Sequence, residues 1–207
     1  VMGRIFSAID HILDRRNMES SQLDSISIAA AGVINLDRGL ITSSPNLPGW
    51  RDIPLRDIVR ERYGTDTFLI NDATVAALGE HCFGVGRGVD NLILLTVGTG
   101  IGGGIIINGG LYPGPCGSAG EVGHMTIDVN GSKCNCGNVG CLEMLASGTA
   151  VAREAIVRVG RGESSSLTEL VSNIESITAE EVFIAAKNGD CLARDVIKKA
   201  ATYLGVG

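Results

Sequence analysis

Three cysteines crowd into eight residues, Cys134-Asn-Cys136-Gly-Asn-Val-Gly-Cys141, while Cys82, Cys116 and Cys191 are scattered. Thiolates gathered in a glycine-rich loop are the donors of a tetrahedral zinc, short of one ligand. Of the three histidines, His11 lies on an amphipathic segment and His81 follows a helical one, but His124 stands ten residues ahead of Cys134. His124, Cys134, Cys136 and Cys141 would close the coordination sphere, as in a structural rather than a catalytic zinc. The alternative is a set of unliganded thiols in a reducing compartment. A histidine held through one ring nitrogen offers the other as a donor of fixed direction. Glu121, in Glu121-Val-Gly-His124, and Glu143, two residues past the last cysteine, extend from the same loop. Two carboxylates and an oriented imidazole suit a polyhydroxylated ligand. Each carboxylate could equally be a solvated surface charge.

Two further clusters invite chemistry. Gly98-Thr99-Gly100-Ile101-Gly102-Gly103-Gly104 holds five glycines in seven positions. It contains a GxGxxG string, yet Ile105-Ile-Ile107 follows where a dinucleotide fold needs a helix, and no Lys-Ser or Lys-Thr closes a Walker loop. A strand–turn–strand remains, whose backbone N–H groups and Thr99 hydroxyl could hold phosphate oxygens. A ligand-free glycine hairpin is the plainer reading. Asp72 follows the apolar run Phe68-Leu-Ile70, where ligands of α/β proteins collect. A carboxylate there can take a proton from a substrate hydroxyl. Aspartate is equally a favoured helix N-cap.

The elements that must position these groups alternate between strand and helix. Helical spacing covers Gly3–Arg16, Leu55–Tyr63 closed by Gly64, Ala73–Gly79, Leu145–Val159, Thr178–Lys187 and Asp190–Leu204. Thr178 and Glu181 have capping-box spacing. Strands are expected over Ser25–Ala31, Thr67–Ile70, Leu92–Val97 and Gly104–Asn108, with a hairpin of Val33–Asn35 and Leu40–Thr42. Pro45 to Pro48 reads as a loop, and Ser164-Ser-Ser166 as a surface loop. The class is α/β or α+β.

Composition narrows the function. The chain has 207 residues, of which 44% are hydrophobic, enough for a sizeable core. Asp and Glu outnumber Lys and Arg by 23 to 17, a net charge of −6, without the electrostatic footprint of a phosphate-backbone binder. No apolar run approaches the roughly 20 residues of a membrane span. The expectation is a soluble, cytoplasmic protein. Glycine, at 29 residues, is about twice as common as usual and gathers between 79 and 148, a site signal more than a linker signal. Val1 opens directly into a helix, and the last helix runs into Gly205-Val-Gly207. The chain is expected to be part of something longer.

Taken together, Thr96-Val-Gly-Thr-Gly-Ile-Gly-Gly-Gly104, Glu121-Val-Gly-His124 and Cys134-x-Cys-Gly-x-x-Gly-Cys141-x-Glu143 resemble the ROK family of bacterial-type sugar kinases and sugar-responsive repressors. Ser44-Pro-Asn-Leu-Pro-Gly-Trp50 and Asn71-Asp72 also match its sugar site, and the similarity is greatest to glucokinase-like members. The resemblance implies a ribonuclease H-like, two-lobed fold of the actin and hexokinase type, incomplete at both ends. Residues 1–72 would be part of a small lobe and residues 73–207 part of a large one. It implies ATP-dependent phosphorylation of a hexose, glucose favoured, at the 6-hydroxyl. Asp72 would be the general base. Asn46, Asn71, Glu121, His124 and Glu143 would hold sugar hydroxyls. Gly98, Thr99, Gly100, Gly102 and Gly103 would face the ATP phosphates, bridged by magnesium, and His124, Cys134, Cys136 and Cys141 would bind zinc. A homodimer or homotetramer is implied, with no nucleic acid or membrane partner. An Asp-x-Gly-Gly-Thr phosphate loop expected before residue 3 is not found, which implies weak ATP turnover by these residues alone. A sugar-sensing repressor body is the second reading, and a zinc-stabilised interaction domain the third.

Overall fold

Ile5, Phe6, Ile9 and Leu13 recur at helical spacing, and in the computed structural model Met2–Arg16 is helix α1, ended by Asn17 in the left-handed conformation. Its apolar stripe packs on a core of Ile34, Ile41, Leu55, Val59, Tyr63 and Leu69. The structure describes residues 1–44, 47, 49–115 and 117–207. The expected Pro45–Pro48 loop and the Asn46 ligand fall mostly on residues outside that set.

Strand β1 (Ile26–Ala30) is followed by the hairpin β2 (Val33–Asn35) and β3 (Leu40–Ser43), to which β4 (Arg51–Ile53) adds antiparallel. Helix α2 (Leu55–Tyr63) stops at Gly64, whose φ of 66° glycine adopts without strain. Strand β5 (Thr67–Asn71) runs parallel to β1, with Ala30 opposite Asn71. Helix α3 (Asp72–Phe83) starts at once, so Asn71 and Asp72 stand at the carboxyl end of the parallel pair. α3 runs four residues past the expected Gly79.

Strands β6 (Leu92–Val97) and β7 (Ile101–Ile107) form an antiparallel hairpin extended by the short β8 (Gly110–Leu111). The expected glycine turn is shorter than its sequence suggests. Gly102, Gly103 and Gly104 belong to β7, opposite Thr96, Leu95 and Leu94. Packing explains the missing side chain at one of them: a Cβ on Gly103 would come 2.8 Å from Val122 Cγ2.

The helix expected over Leu145–Val159 is two helices, α4 (Leu142–Ala146) and α5 (Gly148–Gly160). They meet at Ser147, whose hydroxyl accepts the Ala150 N–H at 3.1 Å and caps α5. Then come α6 (Leu167–Leu170), α7 (Ala179–Lys187), with its Thr178–Glu181 capping box formed, and α8 (Cys191–Val206). The serine run is more than a surface loop, because Ser165 and Ser166 hydroxyls donate to the Asp190 carboxylate that caps α8. A second core includes Leu142, Val151, Ala155, Leu167, Val182 and Val196. The chain thus divides into two compact units, Val1–Val75 and Ala76–Gly207. Among the described residues no helix is long and apolar enough to cross a membrane.

Candidate functional site

In the first unit, two neighbouring residues that could each cap a helix divide the work. The Asn71 side-chain oxygen accepts the Thr74 N–H at 3.0 Å, which is the capping bond of α3. Its amide donates to the Gly32 carbonyl at 3.1 Å, tying the end of β5 to the turn after β1. Among the described residues the Asp72 carboxylate accepts only the adjacent Ala73 N–H, at 3.0 Å, and its side chain is exposed. Gly32 has φ 122°, and a Cβ there would meet the backbone of Ser43 and Ser44. The Ser44 hydroxyl is buried without a hydrogen-bond partner among the described residues. A buried hydroxyl of this kind usually has a partner, so this one has unused bonding capacity beside the Gly32–Asn71 link.

In the second unit, the ligand atoms of His124, Cys134, Cys136 and Cys141 all lie within 4.8 Å of one another. Cys136 and Cys141 sulfurs are 3.7 Å apart, and His124 Nδ1 is 3.7 Å from the Cys134 sulfur. A tetrahedral zinc with bonds of about 2.3 Å to sulfur and about 2.0 Å to nitrogen sets such pairs about 3.6–3.8 Å apart, so the donors fit the ion. The loop is built for this. Cys134 N–H donates to the Asn138 carbonyl at 2.7 Å and Gly137 N–H to the Cys134 carbonyl at 3.0 Å, while Asn138 donates to Thr126 and to the His124 carbonyl. Burial pushes the Cys141 thiol up to about 12 and raises Cys134 as well. At Cys136 burial also works upward, but the Asn138 amide and the neighbouring thiols outweigh it, and the thiol falls below its usual value. The two buried thiols, Cys134 and Cys141, resist ionisation on their own and would gain their thiolate form from a cation.

His124 turns Nδ1 toward the thiols and Nε2 toward Glu121, 3.6 Å from its carboxylate. Glu143, in the first turn of α4, has a different neighbour: its Oε2 accepts the Ile101 N–H at 3.0 Å. That bond joins the metal loop to the glycine turn. Gly98 N–H closes the turn on the Gly100 carbonyl at 2.9 Å. The start of α5 grips its outside, Gly148 N–H donating to the Gly98 carbonyl at 2.8 Å and the Thr149 hydroxyl to the Thr99 carbonyl at 2.7 Å. Beside the turn opens a cleft of about 680 Å³, whose walls include Val97, Thr99, Thr149, Phe183, Ile197 and Leu204. Its size is that of a small-molecule site. Of the residues expected to face phosphates, Gly98, Thr99 and Gly100 form this turn, and Gly102 and Gly103 are in the strand. Thr149 and the cleft wall escaped the sequence reading. The signal available was Ser147-Gly148, a cap pair that marks the start of a helix.

The strands and helices of both units are those of the actin- and hexokinase-like fold, here carrying a Cys3His cluster and a braced glycine turn. The family description "ROK family" matches residues 2–207, and the chain belongs to that family. It is 42% identical over 206 residues to a glucokinase of Halalkalibacterium halodurans, covering 99% of this chain and 62% of that one. A solved ROK family glucokinase from Streptomyces griseus, in complex with glucose and AMPPNP, is 35% identical with a TM-score of 0.83, covering 98% of this chain and 65% of the other. A solved ROK family transcriptional regulator, a homologue of the E. coli MLC protein, is 33% identical with a TM-score of 0.84, covering 98% and 50%. The chain therefore spans between half and two thirds of the length of these relatives.

Proposed function

We propose that the protein phosphorylates a hexose, glucose in the first instance, at its 6-hydroxyl with ATP. Asp72 accepts the hydroxyl proton, the sugar oxygen forms its bond to the γ-phosphorus, and the bond to the ADP oxygen breaks. The observation that carries this reading is the division of labour at Asn71-Asp72. Asn71 caps α3, so the exposed Asp72 carboxylate at the end of β5 is left for chemistry. Asn71, Glu121, His124 and Glu143 are assigned to sugar hydroxyls, and Asn46 with them. Gly98–Gly100 is assigned to the ATP phosphates, with the base and ribose in the adjoining cleft. Magnesium on the phosphates would supply charge neutralisation, and zinc held by His124, Cys134, Cys136 and Cys141 would supply rigidity to the loop that carries Glu121 and Glu143. Positioning and charge stabilisation are most of what phosphoryl transfer requires. The setting assigned is cytoplasmic, and the assembly a homodimer or homotetramer.

The test is ADP release by the full-length protein from ATP and magnesium across a panel of hexoses. Sugar-dependent release should fall about 10²- to 10⁴-fold in Asp72→Asn. The melting temperature should barely move, because Asn71 holds the cap. Unchanged turnover in Asp72→Asn removes Asp72 from the role. The second reading, a sugar-responsive regulator body, draws on the likeness to the solved transcriptional regulator. Sugar binding with no ADP release in any combination would favour it.

A further inference from the structure

The segment that bears the last metal ligand is also the one that grips the glycine turn. Cys141 directly precedes α4, and Glu143 in its first turn receives the Ile101 N–H. Five and six residues on, Gly148 N–H and the Thr149 hydroxyl hold the carbonyls of Gly98 and Thr99. The turn itself contributes one internal bond, from Gly98 N–H to the Gly100 carbonyl. Glycine imposes little conformational preference, so the shape of this turn comes from its surroundings. Contact is close: a Cβ on Gly148 would lie 2.9 Å from the Gly98 oxygen, and one on Gly100 would collide with the Glu143 carboxylate. On the other flank Gly123, next to ligand His124, packs so tightly on Ile101 that a Cβ there would overlap its carbonyl. Both stretches of chain that would supply metal ligands therefore touch the turn or Ile101, the strand residue that directly follows it.

We propose that the Cys3His centre, acting through Glu143 and Thr149 as positioning residues, sets the shape of the Gly98–Gly100 turn and with it the affinity for nucleotide. Metal loss is then felt at the nucleotide cleft even when no sugar is present. The proposal rests on the assignment of ATP to that turn.

The experiment uses the full-length, zinc-loaded protein without sugar. AMPPNP binding is measured by calorimetry, zinc content by metal analysis, and hydrogen exchange at the Gly98 and Ile101 amides in the absence of nucleotide. Thr149→Val should keep its zinc, bind AMPPNP about three- to tenfold more weakly, and exchange the Gly98 amide faster, while Thr149→Ser stays within about twofold of the parent. Chelated parent protein should bind about tenfold more weakly or worse and lose protection at Ile101. Equal AMPPNP affinity in folded, chelated protein would overturn the proposal, as would Thr149→Val exchanging its turn amides at the parental rate. Where chelation unfolds the second unit, the Thr149 pair, measured on loaded protein, decides alone. No AMPPNP binding by the loaded parent removes both the proposal and the nucleotide assignment. Binding that is present but indifferent to metal and to Thr149 removes the proposal and leaves the assignment standing.

Discussion

Gly140 lets the metal loop turn back under Cys141. Its φ is 63°, and a Cβ there would sit on the Asp128 carbonyl, which is backbone and cannot swing aside. Gly140→Ala combines a left-handed backbone with a collision, costs that together reach about 3 kcal/mol or more. We expect that variant to purify with little zinc where the parent carries one ion per chain, as metal analysis would read directly. A full complement would mean that the loop has slack. The pH dependence has a fixed sign. With burial holding the unliganded Cys141 thiol up to about 12 and Cys134 above its usual value, those two thiols are protonated at neutrality, so zinc binding would expel protons and acid would oppose it. Zinc release followed with a chromogenic chelator should rise as the pH falls from 8 to 5. A flat profile would argue against thiolate ligation.

Helix caps give the clearest prediction among the elements. Asp190 accepts the Ala193 N–H at 2.8 Å and the Ser166 N–H at 2.6 Å, joining the start of α8 to the loop before α6. Burial pushes its carboxyl up, but these amides and the two serine hydroxyls outweigh burial and hold it below the usual 3.8. A depressed carboxyl stabilises the fold above its unfolded pKa, and the contribution fades as the pH drops through the folded value, below about 3.8. Asp190→Ala should therefore lower stability by about 1–2 kcal/mol at pH 7 and by progressively less as the pH is taken below 3.8, measured by urea denaturation along that range. Such caps are local, which is why Thr178 with Glu181 and the Gly64 stop were readable in the sequence. The thiol cluster was readable for the same reason, since Cys134 to Cys141 is one loop. What escaped depends on distant partners. Gly102 and Gly103 have no side chains to announce a strand and belong to one because β6 lies alongside. Arg51–Ile53 shows no alternation and is a strand because β3 pairs with it. The Glu143–Ile101 bond joins residues 42 apart. Between Asn71 and Asp72, both capping types, only geometry could choose.

The molecule has two separate cores, one around Ile34, Ile41 and Val59 and the other around Leu142, Val182 and Val196, and every proposed zinc ligand belongs to the second unit. Calorimetric melting should accordingly resolve two transitions, of which zinc removal lowers one and leaves the other in place. A single transition shifting as a whole would show that the units unfold together. The placement of the α3 cap has a longer reach. Because Asn71 accepts the capping bond of that helix, the acid assigned to proton transfer should be exchangeable at little folding cost. Under that assignment, one nucleotide change, aspartate to asparagine, would give a lineage a body that still binds sugar and spends no ATP. A scaffold wired this way lies a single mutational step from trading metabolism for sensing, and selection would find no stability barrier in the path.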